Sequence, residues 1–164
     1  MSEKEQFLKT YEAECKRTMK VLRAYPADKS ELKPHDKLRT ARDLAFSFAT
    51  ESGLGIYALE NKIGTEPMGE FPVAPASWQD VLTAVEEAQQ QFGDFVRGMS
   101  EEELNGKVKF FSGPNQLGDW RALDLCWHLL HDQIHHRGQL TVYLRLAGGK
   151  LPSVYGPTAD EPWM

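Results

Sequence analysis

Apolar positions along the chain fall into helical stripes separated by segments rich in breakers. From Glu3 to Leu22, the residues Phe7, Leu8, Tyr11, Cys15, Met19 and Leu22 recur at three- and four-residue spacing, which predicts an amphipathic helix. Pro26, Asp28, Lys29, Ser30 and Pro34 break that pattern. A second stripe, Leu44, Phe48, Ile56, Leu59 and Ile63, predicts a helix from Thr40 to about Ile63. Gly53 and Gly55 interrupt it midway and point to a kink or a close helix approach. Gly64 to Pro75 reads as a long connection. Ser77 is placed to cap a third helix, with Asp80 three residues on, and Trp78, Val81, Val85, Phe92 and Val96 form its inner side. Ser100 opens a short acidic turn, and Lys107 to Phe111 reads as extended. Asp119 is placed as the cap of a fourth helix from about Trp120 to Leu146, closed by Gly148 and Gly149. Leu151 to Met164 is Pro-rich and predicts an irregular tail. These elements predict an all-α protein: a four-helix bundle with long connections, not simply up-down-up-down.

Composition narrows the class. The 164 residues fit a single domain spanning 1–164, and 41% hydrophobic with 26% charged residues is an ordinary globular balance. A formal charge of -5 argues against a surface that coats nucleic acid, which needs clustered basic residues. Two distant cysteines, Cys15 and Cys126, exclude a disulfide scaffold and read as reduced thiols. No stretch is apolar enough to span a bilayer, and the first residues lack the apolar run of a signal peptide. A cytoplasmic protein without nucleic-acid or membrane partners is expected.

Chemistry concentrates on the last helix. His128, His131, Asp132, His135 and His136 lie within about 140° of one another on a helical projection. Residues four apart project from one face, so His131 with His135, Asp132 with His136 and His128 with Asp132 are each spaced to share a divalent ion such as Zn or Ni. A catalytic centre needs a third ligand from another element and an open position. Cys126 and His136 are separated by about 15 Å along the axis, too far for a nucleophilic pair. Cys126 is expected in the core. Arg137 and Gln139 are placed to orient ligands or close a dimer, or Arg137 to pair with a carboxylate. Tyr155 and Trp163 on the tail are placed to cover a pocket mouth.

The run His131-Asp132-Gln133-Ile134-His135-His136-Arg137-Gly138-Gln139-Leu140, continued by Tyr143-Leu144-Arg145 and Gly148, resembles the last-helix signature of the DinB/YfiT-like superfamily. The tail Leu151-Pro152-Ser153-Val154-Tyr155-Gly156-Pro157 resembles that of one branch. The resemblance implies a four-helix bundle, usually dimeric, with a divalent-metal site of three histidines: one on the second helix and two on the last. The histidine before Arg-Gly-Gln corresponds to His136. Four residues earlier the family pattern carries histidine where this chain has Asp132, and the second-helix histidine corresponds to Ser47. Asp132 is itself a competent ligand, and Glu51, one turn after Ser47 on the same face, offers a third. The alternative register uses His131 with His135.

Two functions follow as expectations. By the resemblance, the protein is a metal-dependent transferase or hydrolase using a low-molecular-weight thiol, as in relatives that act as thiol-dependent S-transferases. The alternative is a non-catalytic bundle that holds a small molecule, or only a partner subunit, in a pocket that has lost its metal.

Overall fold

The computed structural model describes residues 1–164. Helix α1 spans Glu3–Ala24, α2 Ala41–Leu59, α3 Trp78–Gly98, the one-turn α4 Glu101–Asn105 and α5 Ala122–Leu146. Strands β1, Lys107–Gly113, and β2, Gln116–Arg121, form an antiparallel hairpin between α4 and α5. The protein is therefore mostly helical, with a small two-stranded addition that the periodicity read only in half.

Side-chain caps begin four of the helices. Ser2 and Ser100 make full capping boxes with Glu5 and Glu103, while Thr40 and Ser77 accept from the backbone N–H of Asp43 and Asp80. Two predicted boundaries shift. Helix α2 stops at Leu59 rather than Ile63, because the chain turns through Asn61 at φ 58°, which a right-handed helix cannot include. Ile63 still reaches the core, at 1% exposure. Helix α5 begins at Ala122, and Asp119 is a strand residue rather than its cap. Asp119 faces Lys109 across the hairpin at 2.5 Å, Trp120 pairs with Val108, and the Ala122 N–H goes to the Gly106 carbonyl.

Helices α1 and α2 each pack against both α3 and α5, so α1 and α2 sit diagonally across the bundle. One core cluster joins Phe7, Phe92, Leu125 and Leu130 to Val108 and Phe110 of the hairpin; the other joins Leu22, Phe48, Val81 and Leu144 at the opposite end. Gly55 marks a close approach: a Cβ there would lie 2.6 Å from the Phe92 ring and 2.8 Å from Leu129. Polar groups also reach the interior from every long helix, among them the Tyr11 hydroxyl, Ser52, Gln89 and Gln133. The Tyr11 hydroxyl donates to the Gln89 carbonyl, and Gln133 Nε2 donates to Ser52 Oγ at 3.4 Å. Cys15 and Cys126 are both free, and burial pushes each thiol up to about 12. No helix is long and apolar enough to cross a membrane.

Candidate metal centre

The packing of α2 against α5 carries Glu51 to His136. Glu51 Oε1 lies 3.1 Å from His136 Nε2, and Asp132 Oδ2, one turn earlier on α5, lies 3.6 Å from the same nitrogen. One ligand atom from each of the three residues falls within 4.8 Å of the other two. The Glu51 and His136 side chains are 14% and 15% exposed, whereas Asp132 keeps 46% of its side chain open, so the cluster is enclosed on one side and accessible on the other.

The imidazole is held from behind. His136 Nδ1 lies 3.1 Å from Gln139 Oε1, and the amide nitrogen of Gln139 lies 3.0 Å from His135 Nε2. An amide oxygen can only accept, so Nδ1 carries a proton and Nε2 is directed at the two carboxylates. The hydrogen bond with Glu51 holds the His136 pKa above its ordinary value; burial opposes this, and the charge of Glu51, the bond to Gln139 and the charge of Asp132 reinforce it. A proton on Nε2 thus bridges two anions where a divalent cation would satisfy the same three donors.

The donor set fits such an ion. Two carboxylates and one imidazole suit a divalent transition metal such as Zn or Ni. Glu51 Oε2 is buried and has no hydrogen-bond partner, an uncommon state for a carboxylate oxygen. A cation at the cluster would relieve it.

The other residues named from the sequence lie elsewhere. His135 is exposed and accepts from Gln139, so it stands behind His136 rather than beside Glu51. His131 is exposed and lies against Trp127, with ring centroids 6.2 Å apart, and His128 lies against Trp120 at 4.9 Å. The His131–His135 pair meets no third ligand. Ser47 is buried, its hydroxyl donating to the Leu44 carbonyl. Glu51 and Asp132 converge with His136 where the resemblance implied three histidines.

Arg137 turns away from the cluster into the core, where it is 2% exposed. It donates to Glu14 Oε2 at 2.6 Å, to the Glu14 carbonyl at 3.1 Å, to Thr18 Oγ1 at 3.3 Å and to the Tyr155 hydroxyl. The Tyr155 hydroxyl in turn donates to Glu14 Oε2 at 2.6 Å, tying the tail to α1. Tyr155 therefore seals this pair rather than a pocket mouth. Burial works to raise the Glu14 pKa, but the hydrogen bonds from Tyr155 and Arg137 and the charges of Arg137 and Arg17 outweigh it and leave it lowered. Sequence reading did not single out Glu14. Its signal is an acid at an inward position between Tyr11 and Thr18.

The DinB family model matches residues 1–163. The uncharacterized protein YrdA of Bacillus subtilis strain 168 is 27% identical over 157 residues, covering 94% of this chain and 89% of YrdA. A DinB-like protein from Bacillus cereus ATCC 10987 superposes with a TM-score of 0.78 at 21% identity, over 92% of this chain and 97% of that one. The DinB-like protein YjoA of Bacillus subtilis gives 0.71 at 17% identity, over 97% and 99%. At these identities the two solved structures speak to the fold.

Proposed function

Because the chain belongs to the DinB family, we propose that Glu51, Asp132 and His136 hold one divalent transition ion and that the protein is a metal-dependent transferase or hydrolase, with a low-molecular-weight thiol as co-substrate. The observation that carries this reading is the convergence of one ligand atom each from Glu51, Asp132 and His136, on two helices, beside a second Glu51 oxygen that is buried without a partner. A bound ion would lower the pKa of a thiol or water beside it and hold the resulting anion for attack on an electrophile.

The chain's own residues divide the remaining work. Gln139 fixes the imidazole tautomer, so that Nε2 presents its lone pair once its proton is lost. Glu51, on the other helix and enclosed, sets the depth of the site. Asp132, the most open of the three, lies on the side from which a small molecule enters. We also infer a homodimer, supported by exposed Val142 and Leu146 on α5, and a cytoplasmic setting, supported by the two free thiols.

The test is metal content by plasma mass spectrometry on untagged protein purified without chelators, beside Glu51→Gln, Asp132→Ala and His136→Ala. About one ion per chain is expected, lost in His136→Ala and reduced in the other two. A stoichiometric ion retained by His136→Ala but lost by the paired change His131→Ala and His135→Ala would move the site to the other register. No ion after incubation with excess Zn or Ni would sink the metal reading and leave the non-catalytic bundle in its place.

A further inference from the structure

A cavity lies on a different face of the bundle from the Glu51–Asp132–His136 cluster. The cleft between α1 and α3 encloses about 430 Å³, within the range of roughly 300–1,000 Å³ typical of small-molecule sites. It shares no residue with the metal cluster, which sits between α2 and α5. Tyr11, Cys15 and Met19 line it from α1, and Gln89, Gln90 and Gly93 from α3.

Gln89 decides what the cleft is suited to hold. Its side chain lines the cavity and the residue is only 4% exposed, yet Nε2 is buried and has no hydrogen-bond partner. Leaving a buried donor unpaired is costly, and such a group is ordinarily met by protein, water or ligand. The groups around it do not supply the acceptor. The Tyr11 hydroxyl donates to the Gln89 backbone carbonyl at 3.2 Å, and neither its oxygen nor any other in the protein is within hydrogen-bond distance and angle of Nε2. Gly93 keeps the wall thin, since a Cβ there would touch the Tyr11 ring at 3.4 Å.

The rim sets the charge of the ligand. Arg23 pairs with Glu86 and Arg97 with Glu12, each at 2.7 Å, so two ion pairs bridge α1 to α3 across the cleft. Arg97 also pairs with Asp94, and Lys16, exposed on the rim, is the one lining cation without a carboxylate partner. A floor with an unpaired N–H donor, apolar contact from Tyr11 and Met19, and the free ammonium of Lys16 at the rim complement one kind of molecule.

We propose that the α1–α3 cleft is a binding site for a small organic monocarboxylate, with a carboxylate oxygen accepting from Gln89 Nε2 and the apolar body lying against Tyr11 and Met19. Lys16 supplies attraction at the mouth. The site stands independently of the metal reading, because its residues lie on the other pair of helices.

The test uses the full chain with uniform ¹⁵N labelling and phenylacetate as the probe, with phenylacetamide and phenethylamine as neutral and cationic comparators. Saturable shifts are expected at the Gln89 side-chain amide and along residues 11–19 and 86–97, with or without chelator. Phenylacetate should bind most tightly, phenylacetamide more weakly, and phenethylamine not at all. Gln89→Met, which keeps the shape and removes the donor, should stay folded and weaken phenylacetate at least about tenfold. Gln89→Glu should abolish phenylacetate binding by placing like charges together. Absence of saturable shifts, shifts confined to α2 and α5, or unchanged phenylacetate affinity in folded Gln89→Met would each overturn the proposal.

Discussion

Replacing Glu14 by Ala tests whether the buried ion pair with Arg137 is structural. The Glu14 and Arg137 side chains are 8% and 3% exposed and meet at 2.6 Å. In Glu14→Ala the guanidinium keeps the residue-14 carbonyl, the Thr18 hydroxyl and the Tyr155 hydroxyl, all neutral, and loses its one anion. Removing one partner of a buried pair costs about 3–5 kcal/mol. Because three neutral acceptors remain, the lower end applies, about 3 kcal/mol. For a chain of this size that is a fall in Tm of about 6–12 °C. Urea unfolding followed by circular dichroism measures it, with an unchanged slope confirming an unchanged native state. The paired change Glu14→Leu with Arg137→Met should return to within about 1 kcal/mol of the parent, since apolar side chains of similar volume replace both charges. The pH dependence has a fixed sign. Because the folded Glu14 pKa is lowered, its contribution is present above the ordinary carboxylate value of about 4.3 and is lost as pH falls through the folded value. A Glu14→Ala cost below about 1 kcal/mol would refute the reasoning and show that water reaches the guanidinium.

Three further outcomes are expected. Gln139→Leu should weaken Zn or Ni binding by about 10–100-fold, measured by competition with a chelating dye, because the His136 ring loses its orienting acceptor; unchanged affinity would refute that role. The His136 pKa is raised in the fold, so its contribution is complete below about pH 6.5 and is lost as pH rises through the folded value. The urea midpoint of metal-free protein should therefore fall between about pH 6 and pH 8, and the fall should vanish in His136→Ala. Two glycines two residues apart on α2, Gly53 and Gly55, provide a test of packing. Gly55→Ala forces a Cβ into Phe92 and Leu129 and should cost about 1–3 kcal/mol, whereas Gly53→Ala meets nothing within 4 Å and should stabilise by about 0.5–1 kcal/mol. Thermal melts of the two variants should move in opposite directions.

The first three long helices were legible because each carries an apolar stripe and opens on a Ser or Thr cap, and the last because of its length and its closing Gly148 and Gly149. The second strand was not legible. Gln116 to Arg121 has no fully buried residue, so no two-residue alternation distinguishes it, and Asp119 before Trp120 resembles a helix start. What makes it a strand is its partner Lys107–Gly113, a pairing that local preference does not encode. Glu51 was legible as a member of the cluster because it stands one turn beyond Ser47 and helical geometry is local. The register of the last helix was not, since Asp132–His136 and His131–His135 have identical spacing. Only the angle at which α2 meets α5 separates them. Glu14 was hidden for a related reason: its partner lies 123 residues away.

That separation has a consequence for how the molecule is made. At a synthesis rate of roughly 5–20 residues per second, Arg137 follows Glu14 out of the ribosome by about 6–25 s. During that interval the carboxylate of α1 has Arg17, one turn away at 2.8 Å in the finished protein, as a local counter-ion. The first helix can therefore form early, but the contact that seats it is among the last to become available, and Tyr155 arrives later still. A nascent chain stalled before α5 leaves the side of α1 that packs on α5 uncovered, with its acid still hydrated.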